Sequence, residues 1–331
     1  MKKLFSVLLA LLMMAGVIAV APVTASAAGN VCEIVGGGAY ATLEAAIDAV
    51  ENGQTVRLLT DITLDDNFYV YRKRTFTIDT NNKTLDFDGN NLTIYNYESN
   101  VTINGCAKLV NLGAVIVWGN LIRYGPLYKT VFNGDLTINW QFYVEGYAQV
   151  QVNGNVTIQT SNGHIVTNHD GSKLGIRGNV TANQLASDDV FFGVGMGDIT
   201  IEGNVATSGV AASVNGGKLT VNGNVTANGA CGAYFFANGG FIYVNGTFAA
   251  NETKYVGFTG GSLDDCGYFA KTQYRSTVKV GGVNYRQYER AESGGALLVK
   301  ASGLIFNTKH ESTFLNWLLF FLGFGFIWMW F

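Results

Sequence analysis

The chain has 331 residues, of which 48% are hydrophobic, 14% are charged and 42 are glycine, and its formal net charge is −3. A weakly acidic chain without a basic cluster is a poor nucleic-acid binder, so we expect no nucleic acid among its partners. Because only two residues are proline, nearly every backbone N–H group remains available for β-ladders.

Residues 1–27 have the pattern of a secretory signal peptide. Lys2 and Lys3 form a basic start, an apolar run follows, and small residues end the segment at Ala25–Ala27. A retained membrane helix is the alternative. Removal of the segment takes two positive charges from a net charge of −3 and leaves −5. The sequence therefore predicts a secreted protein, and the short basic start is typical of bacteria.

Four cysteines remain in the predicted mature chain: Cys32, Cys106, Cys231 and Cys266. In an oxidising compartment they allow three disulfide pairings, and four buried thiols in the core are the alternative. Their spacing does not match that of a zinc site.

Residues 28–59 are predicted to cap the N-terminal end of the fold. The run ATLEAAIDAV begins at Ala41 and places apolar residues at helical spacing. These residues are Leu43, Ala46, Ile47 and Val50. Thr42 is positioned as an N-cap, and a strand is expected from Thr55 to Leu59. A short amphipathic helix of this kind covers the open end of a solenoid.

A phrase of 20 to 25 residues recurs within residues 60–275. It reads GDLTI at Gly134, GNVTI at Gly154, GNVTA at Gly178, GNVAT at Gly203, GNVTA at Gly223 and GTFAA at Gly246. A period of this length indicates a solenoid, whose repeats bury their apolar faces only against their neighbours. Each repeat contains three short β-rich runs bounded by Asn-Gly turns, so we predict an all-β parallel β-helix with three strands per coil. A sandwich of hairpins is the competing all-β fold.

The same alternation predicts which side chains face the core. Ile199, Ile201, Leu219 and Val221 should point inward, whereas Thr200, Thr220 and Tyr243 should point outward. The asparagines and glycines of the phrase are expected at corners, where they supply a left-handed backbone.

The N-terminal segment allows a resemblance to be named. The run ATLEAAIDAVENGQTVRLLTDITL, followed by TFTIDTNNKTLDFDG and the GNVT-type coils, resembles the right-handed parallel β-helix of pectin-lyase-like surface proteins secreted by bacteria. The resemblance covers residues 33–300. It implies a secreted or surface-attached β-helix, a scaffold shared by polysaccharide lyases, glycosidases and adhesins. The fold alone does not choose among these functions.

Residues 276–306 are similar to the N-terminal segment. VKVGGVNYRQYERAESGGALLVK, from Val278, runs through a strand, glycines, a tyrosine, a mixed stretch and an apolar strand, as does the run from Ile34. A second cap, the start of another module and a chance similarity all remain open.

Acidic and histidine residues give little indication of a catalytic site. The acidic pairs Asp65–Asp66, Asp86/Asp88, Asp188–Asp189 and Asp264–Asp265 do not recur on successive coils. His164 and His169, with Asp170 adjacent, form the only close histidine pair and lack a third ligand. Lyases resembling this fold hold Ca²⁺ between acidic residues. We therefore predict no catalytic residue, metal or cofactor, with Ca²⁺ only if the chain is a lyase.

Aromatic residues are the better candidates for ligand contact. The candidates are Trp118, Tyr124, Tyr128, Trp140, Tyr143 and Tyr147. In alternating strands about half of such rings face solvent, where they can stack on sugars or on a protein. Filling of a wide core is the alternative.

The C-terminal tail is strongly apolar. Residues 307–331 comprise a spacer and the run FLNWLLFFLGFGFIWMWF from Phe314, with Trp317 at one end and Trp328 and Trp330 at the other. A membrane or envelope anchor through residues 314–331 is the leading interpretation. A partner-docking segment and a glycolipid-anchor signal are the alternatives.

These features predict a non-catalytic β-helix retained at the cell surface. It would act in display, in adhesion, or in binding a polysaccharide or a host or cell-surface protein. A lyase or glycoside hydrolase acting on extracellular polysaccharide is one alternative, and a self-assembling structural subunit is the other.

Overall fold

The computed structural model describes the central part of the chain and several later strands. The described residues are 29–71, 73–120, 127–160, 163–169, 171–182, 191–207, 210–227, 233–238, 241–246, 248–250, 255–257, 273–280, 282–289, 296–300 and 304–306. The predicted signal peptide, the apolar tail with Trp317, Trp328 and Trp330, and Tyr124 lie outside them.

The described residues form strands, one α-helix and one short 3-10 helix. The first elements are β1 (Cys32–Ile34), β2 (Ala39–Tyr40), α1 (Leu43–Ala49), β3 (Thr55–Leu58), β4 (Ile62–Thr63), β5 (Phe68–Tyr71), β6 (Phe76–Asp79), β7 (Leu85–Asp86), β8 (Leu92–Asn96), β9 (Val101–Asn104), the 3-10 helix Cys106–Lys108, β10 (Leu109–Val110) and β11 (Leu112–Gly119). The next are β12 (Lys129–Asn133), β13 (Leu136–Glu145), β14 (Gln149–Asn153), β15 (Val156–Ile158), β16 (His164–Thr167), β17 (Lys173–Ile176), β18 (Val180–Ala182), β19 (Phe192–Val194), β20 (Asp198–Ile201), β21 (Val205–Thr207), β22 (Val210–Asn215) and β23 (Lys218–Val221). The last are β24 (Val225–Ala227), β25 (Ala233–Asn238), β26 (Phe241–Val244), β27 (Phe248–Ala250), β28 (Tyr255–Gly257), β29 (Gln273–Val280), β30 (Val283–Glu289), β31 (Ala296–Lys300) and β32 (Leu304–Phe306).

The strands stack into the three faces of a parallel β-solenoid. Face 1 runs through β3, β6, β9, β12, β14, β17, β20, β23, β26 and β31. Face 2 runs through β4, β7 and β10 and then, after the first part of β13, through β15, β18, β21, β24, β27 and β32. Face 3 runs through β5, β8, β11, the second part of β13, β16, β19, β22, β25 and β28. The predicted parallel solenoid with three strands per coil is therefore confirmed, and the hairpin sandwich is not formed.

The core consists of inward-facing aliphatic and aromatic side chains stacked from coil to coil. Ile199 pairs in register with Leu219, and Ile201 with Val221, and all four are at most 2% exposed. The intervening Thr200 is only partly buried at the outer surface. The predicted inward and outward sets, including Thr220 and Tyr243 on the outside, are confirmed.

The repeated glycines are required by close stacking of the chain rather than by a left-handed backbone. A Cβ at Gly178 would lie 2.5 Å from the carbonyl carbon of Gly154, and the same clash with the preceding coil recurs at Gly203, Gly223 and Gly246. Within this column only the first glycine, Gly134, has a positive φ, of 120°. The expectation that these glycines adopt a left-handed backbone is thus wrong, although Gly216 does adopt that conformation, with φ 80°.

The asparagine after each of these glycines forms a hydrogen-bond ladder along the corner. The backbone N–H of Asn179 donates to Oδ1 of Asn155 at 2.8 Å, and Asn204 and Asn224 repeat the bond, each to the coil before it. The ladder begins at Asp135, whose Oδ1 accepts from the Asn155 N–H at 2.7 Å. Each side chain therefore satisfies a backbone donor that the turn leaves unpaired.

The N-terminal segment forms the predicted helix. Thr42 Oγ1 accepts a hydrogen bond from the Ala45 N–H at 3.1 Å, as an N-cap does, and α1 buries Leu43, Ala46 and Ile47. Antiparallel pairing of β1 with β2 and with β3 starts the sheet of face 1. At the other end β31 is parallel to β26 and antiparallel to β30, which pairs with β29.

Two of the four cysteines can be placed. Cys32 and Cys106 are free thiols, each 0% exposed. Burial raises the pKa of the Cys32 thiol to about 11, with a smaller contribution from the negative charge of Glu44, and burial raises that of Cys106 to about 12. Cys231 and Cys266 lie outside the described residues.

No helix in the described part of the chain is both long and apolar enough to cross a membrane.

Candidate ligand-binding surface

Two of the predicted ligand-contact residues meet on face 3. Trp118 lies on β11 and Tyr143 on β13, the adjacent strand, and their ring centroids are 6.4 Å apart. Both side chains are partly buried at the outer surface of the sheet. They are therefore available for contact with a ligand and do not fill the core.

Four tyrosines that were not among the predicted contact residues extend this surface. Tyr71, Tyr95 and Trp118 occupy equivalent positions on β5, β8 and β11, so their side chains form one outward column. The rings of Tyr71 and Tyr95 are 5.5 Å apart in an edge-to-face arrangement, and Tyr97 lies 5.7 Å from Tyr95. We define the aromatic face as Tyr69, Tyr71, Tyr95, Tyr97, Trp118 and Tyr143.

Strand alternation explains why these rings lie outside the core. Phe68 and Val70 on β5 are at most 2% exposed, whereas Tyr69 and Tyr71 are 53% and 59% exposed. The Tyr-x-Tyr patterns at residues 69–71 and 95–97 are the sequence signal that could have located this surface. From β5 to β13 the aromatic face crosses three coil steps, or about 14 Å at the usual strand spacing.

Polar groups surround the rings. Burial raises the pKa of the Tyr143 hydroxyl, with a smaller contribution from the charge of Glu145, and Asn168 donates a hydrogen bond to Tyr143 Oη. Burial likewise raises the pKa of Tyr97. These phenols are therefore neutral at physiological pH and can both donate and accept hydrogen bonds.

Tyr128 lies near Lys73, which follows β5. Lys73 Nζ is 2.9 Å from Glu98 Oε1, and this hydrogen bond, together with the carboxylate charge, raises the pKa of Lys73. Tyr71 and Tyr128 make smaller electrostatic contributions to the same ammonium group.

The other two described candidates, Trp140 and Tyr147, each lie beside a histidine. The Trp140 ring is 48% exposed and lies 6.3 Å from the ring of His164, whose Nε2 is 2.7 Å from Gln141 Nε2. Tyr147 lies 5.6 Å from His169 in the turn between faces 3 and 1. Trp118 and Tyr143 are thus in ring contact with each other, whereas Trp140 and Tyr147 make ring contacts with His164 and His169.

A small cleft adjoins the aromatic face at its N-terminal end. It has a volume of about 230 Å³ and lies between α1 and β5. Its lining residues are Glu44, Ile47, Asp48, Tyr69 and Tyr71. Two carboxylates therefore stand beside two exposed rings, so hydroxyl groups of a ligand that stacks on the rings meet hydrogen-bond acceptors there.

Comparison of the chain with models of protein families, with curated proteins and with solved structures finds no match. Of what the resemblance to pectin-lyase-like proteins implies, the structure supports the parallel β-solenoid architecture and no family. An architecture of this kind does not specify a ligand or a reaction, so both must be argued from the surface residues.

Two members of the predicted acidic pairs, Asp66 and Asp86, accept hydrogen bonds from neighbouring residues. Asp66 Oδ1 accepts from the Asn67 N–H at 2.7 Å. Asp86 Oδ1 accepts from the Asp88 N–H and from Asn111 Nδ2, each at 2.9 Å, and these bonds lower the pKa of Asp86. Asp170 and the pairs at 188–189 and 264–265 lie outside the described residues. Among the described residues, no group of three or more His, Cys, Asp or Glu side chains is arranged to hold a metal ion.

Proposed function

We propose that this chain is a non-catalytic carbohydrate-binding module, secreted and retained at the cell surface, whose aromatic face stacks on the sugar rings of an extracellular polysaccharide. The observation that carries the proposal is the outward column formed by Tyr71, Tyr95 and Trp118 on three consecutive coils. Contiguous exposed rings bordered by polar groups are typical of an interaction surface.

The chemistry of the rings favours a sugar over an apolar partner. Tyrosine and tryptophan combine a flat apolar face with a polar edge, and a sugar ring likewise combines C–H faces with hydroxyl edges. Glu145 and Asn168 lie beside Tyr143 and offer further polar contacts to those hydroxyl groups. The spacing of the coils places successive rings along the solenoid axis, which suits an extended polymer.

Binding to the surface can be tested by removing single rings. A panel of neutral and acidic polysaccharides first identifies the one that the protein binds. We expect Tyr71→Ala and Trp118→Ala each to weaken binding to that polysaccharide by about 2- to 12-fold, because each variant loses one stacking contact. Phe241→Ala is the matched control, because Phe241 is an aromatic residue that is 45% exposed on face 1. Affinity electrophoresis gives the measurement. Equal losses in all three variants would contradict the proposal.

Retention at the cell surface rests on the apolar run at residues 314–331. Deletion of this run should release the protein into the medium while leaving polysaccharide binding unchanged. Cell fractionation followed by the same electrophoretic assay separates the two properties. Unchanged retention of the truncated protein would refute anchoring by the tail.

A further inference from the structure

A second surface of different chemistry lies on face 1. The outward side chains of β12, β14, β17 and β20 line a shallow groove of about 910 Å³. Its lining includes Lys129, Gln149, Gln151, Lys173, Arg177 and Thr200. Gly175 forms part of the floor, and the Gln151 amide occupies the space that a side chain would need there, since a Cβ would lie 2.8 Å from Gln151 Oε1.

One end of the groove carries positive charges that the rest of the described chain does not neutralise. Lys129, Lys173 and Arg177 are exposed, and none makes an ion pair with a described carboxylate. The acidic groups at the other end are already engaged. Asp198 Oδ2 is 3.8 Å from Lys218 Nζ, and Glu202 Oε2 accepts from Asn222 Nδ2 at 2.7 Å.

The cations alternate with an amide along the solenoid axis. Lys129, Gln149 and Lys173 are register partners on three consecutive coils, so the two lysines are about 10 Å apart at the usual strand spacing. Gln149 Nε2 donates to the carbonyl oxygen of Gly171 at 2.8 Å. The uncharged Gln149 amide therefore stands between two ammonium groups and offers Oε1 as a hydrogen-bond acceptor.

We propose that this groove binds a linear glycan that carries one anionic group per disaccharide. Consecutive sugars of an extended glycan repeat at nearly the same distance as consecutive coils, so acidic sugars would meet Lys129 and Lys173 while the neutral sugar between them donates to Gln149. A polymer with a carboxylate on every sugar places an anion beside Gln149, whose uncharged amide cannot form the ion pair that Lys129 and Lys173 offer. The next residue in the column, Asp198, is acidic and ends the site.

The test compares oligosaccharides that have equal length and different charge spacing. Isothermal titration at low salt would use hyaluronan oligosaccharides, with one carboxylate per disaccharide, oligogalacturonate, with one per sugar, and carboxyl-reduced hyaluronan, with none. We expect the alternating oligosaccharide to bind most tightly and its affinity to fall as salt is added.

Single substitutions then assign the binding to the groove. Lys129→Gln and Lys173→Gln should each weaken hyaluronan binding by about 1.5- to 5-fold, the range for one exposed ion pair. Lys108→Gln removes the same charge from an exposed position of the 3-10 helix and should have no effect. Gln149→Lys fills the gap in the charge column and should shift the preference towards oligogalacturonate.

Several results would overturn this proposal. They are absence of hyaluronan binding, equal or tighter binding of oligogalacturonate by the unmodified protein, an equal loss in Lys108→Gln, and equally tight binding of a single-stranded DNA of the same charge. Tyr71→Ala and Trp118→Ala should not alter binding in the groove. The aromatic face and the groove can therefore fail or succeed independently.

Discussion

Substitution of one glycine in the repeated phrase tests the explanation of the coil stacking. In Gly178→Ala the new Cβ would lie 2.5 Å from the Gly154 carbonyl carbon and 2.7 Å from the Asn155 nitrogen. Both atoms belong to the backbone of the preceding coil and cannot rotate away. Separation of the coils would also stretch the 3.0 Å hydrogen bond from the Gly178 N–H to the Gly154 oxygen and the 2.8 Å bond from Asn179 to Asn155.

The expected loss combines a steric and a hydrogen-bonding contribution. Overpacking costs about 1 to 3 kcal/mol, and each weakened hydrogen bond adds about 0.5 to 1.5 kcal/mol, so the free energy of unfolding should fall by about 2 to 6 kcal/mol. Gly193→Ala is the control, because its Cβ would meet Val166 Cγ2 at an ordinary 3.4 Å, and we expect a change within about 1 kcal/mol of either sign. Urea unfolding followed by circular dichroism gives both values. A similar value for the two variants would refute the close-stacking explanation.

Three further predictions concern the corner ladder, the thiols and one carboxylate. Asn179→Ala removes the acceptor for the Asn204 N–H and should destabilise the fold by about 0.5 to 1.5 kcal/mol in urea, whereas Asn179→Asp, which keeps Oδ1, should not. Cys32 and Cys106 should resist a thiol reagent at neutral pH until the protein is unfolded, and labelling in the native state, located by peptide mass spectrometry, would contradict their burial. Because the folded pKa of Asp86 is lowered, its carboxylate stabilises the fold above the unfolded pKa of about 3.9, and this contribution is lost as the pH falls through the folded value. The difference in the free energy of unfolding between the unmodified protein and Asp86→Asn should therefore shrink as the pH is lowered from 5. A difference that stays constant with pH would rule out this linkage.

The fold was predictable to the level of single strands because the repeat is expressed locally. The strand expected from Thr55 to Leu59 corresponds to β3, and the inward positions expected at Ile199 and Leu219 lie on β20 and β23. The role of the glycines was not predictable in the same way. The atoms that exclude a side chain at Gly203 belong to Gly178, on the previous coil, so the constraint exists only once the coils are stacked.

The candidate surface was predicted in part. Trp118 and Tyr143 were identified from a local density of aromatic residues, but Tyr71 and Tyr95 lie 47 and 23 residues before Trp118. Only the register of β5, β8 and β11 relates them, and their relation to Tyr143 depends in addition on an irregularity after Leu112 that shifts β11 against β13. Such a bulge cannot be located from a period that itself varies from 20 to 25 residues.

The ladders also restrict where binding specificity can reside. A position that must lack a side chain, such as Gly178, or must supply a side-chain acceptor, such as Asn179, cannot vary freely with the ligand. The outward positions of the strands are free of that constraint, because their neighbours along the column are side chains that can adjust. The column that holds Tyr71 and Trp118 and the column that holds Lys129 and Lys173 are of this second kind, and they lie on different faces. Substitutions in one column should therefore leave both the fold and the other column intact, which makes each surface separately testable.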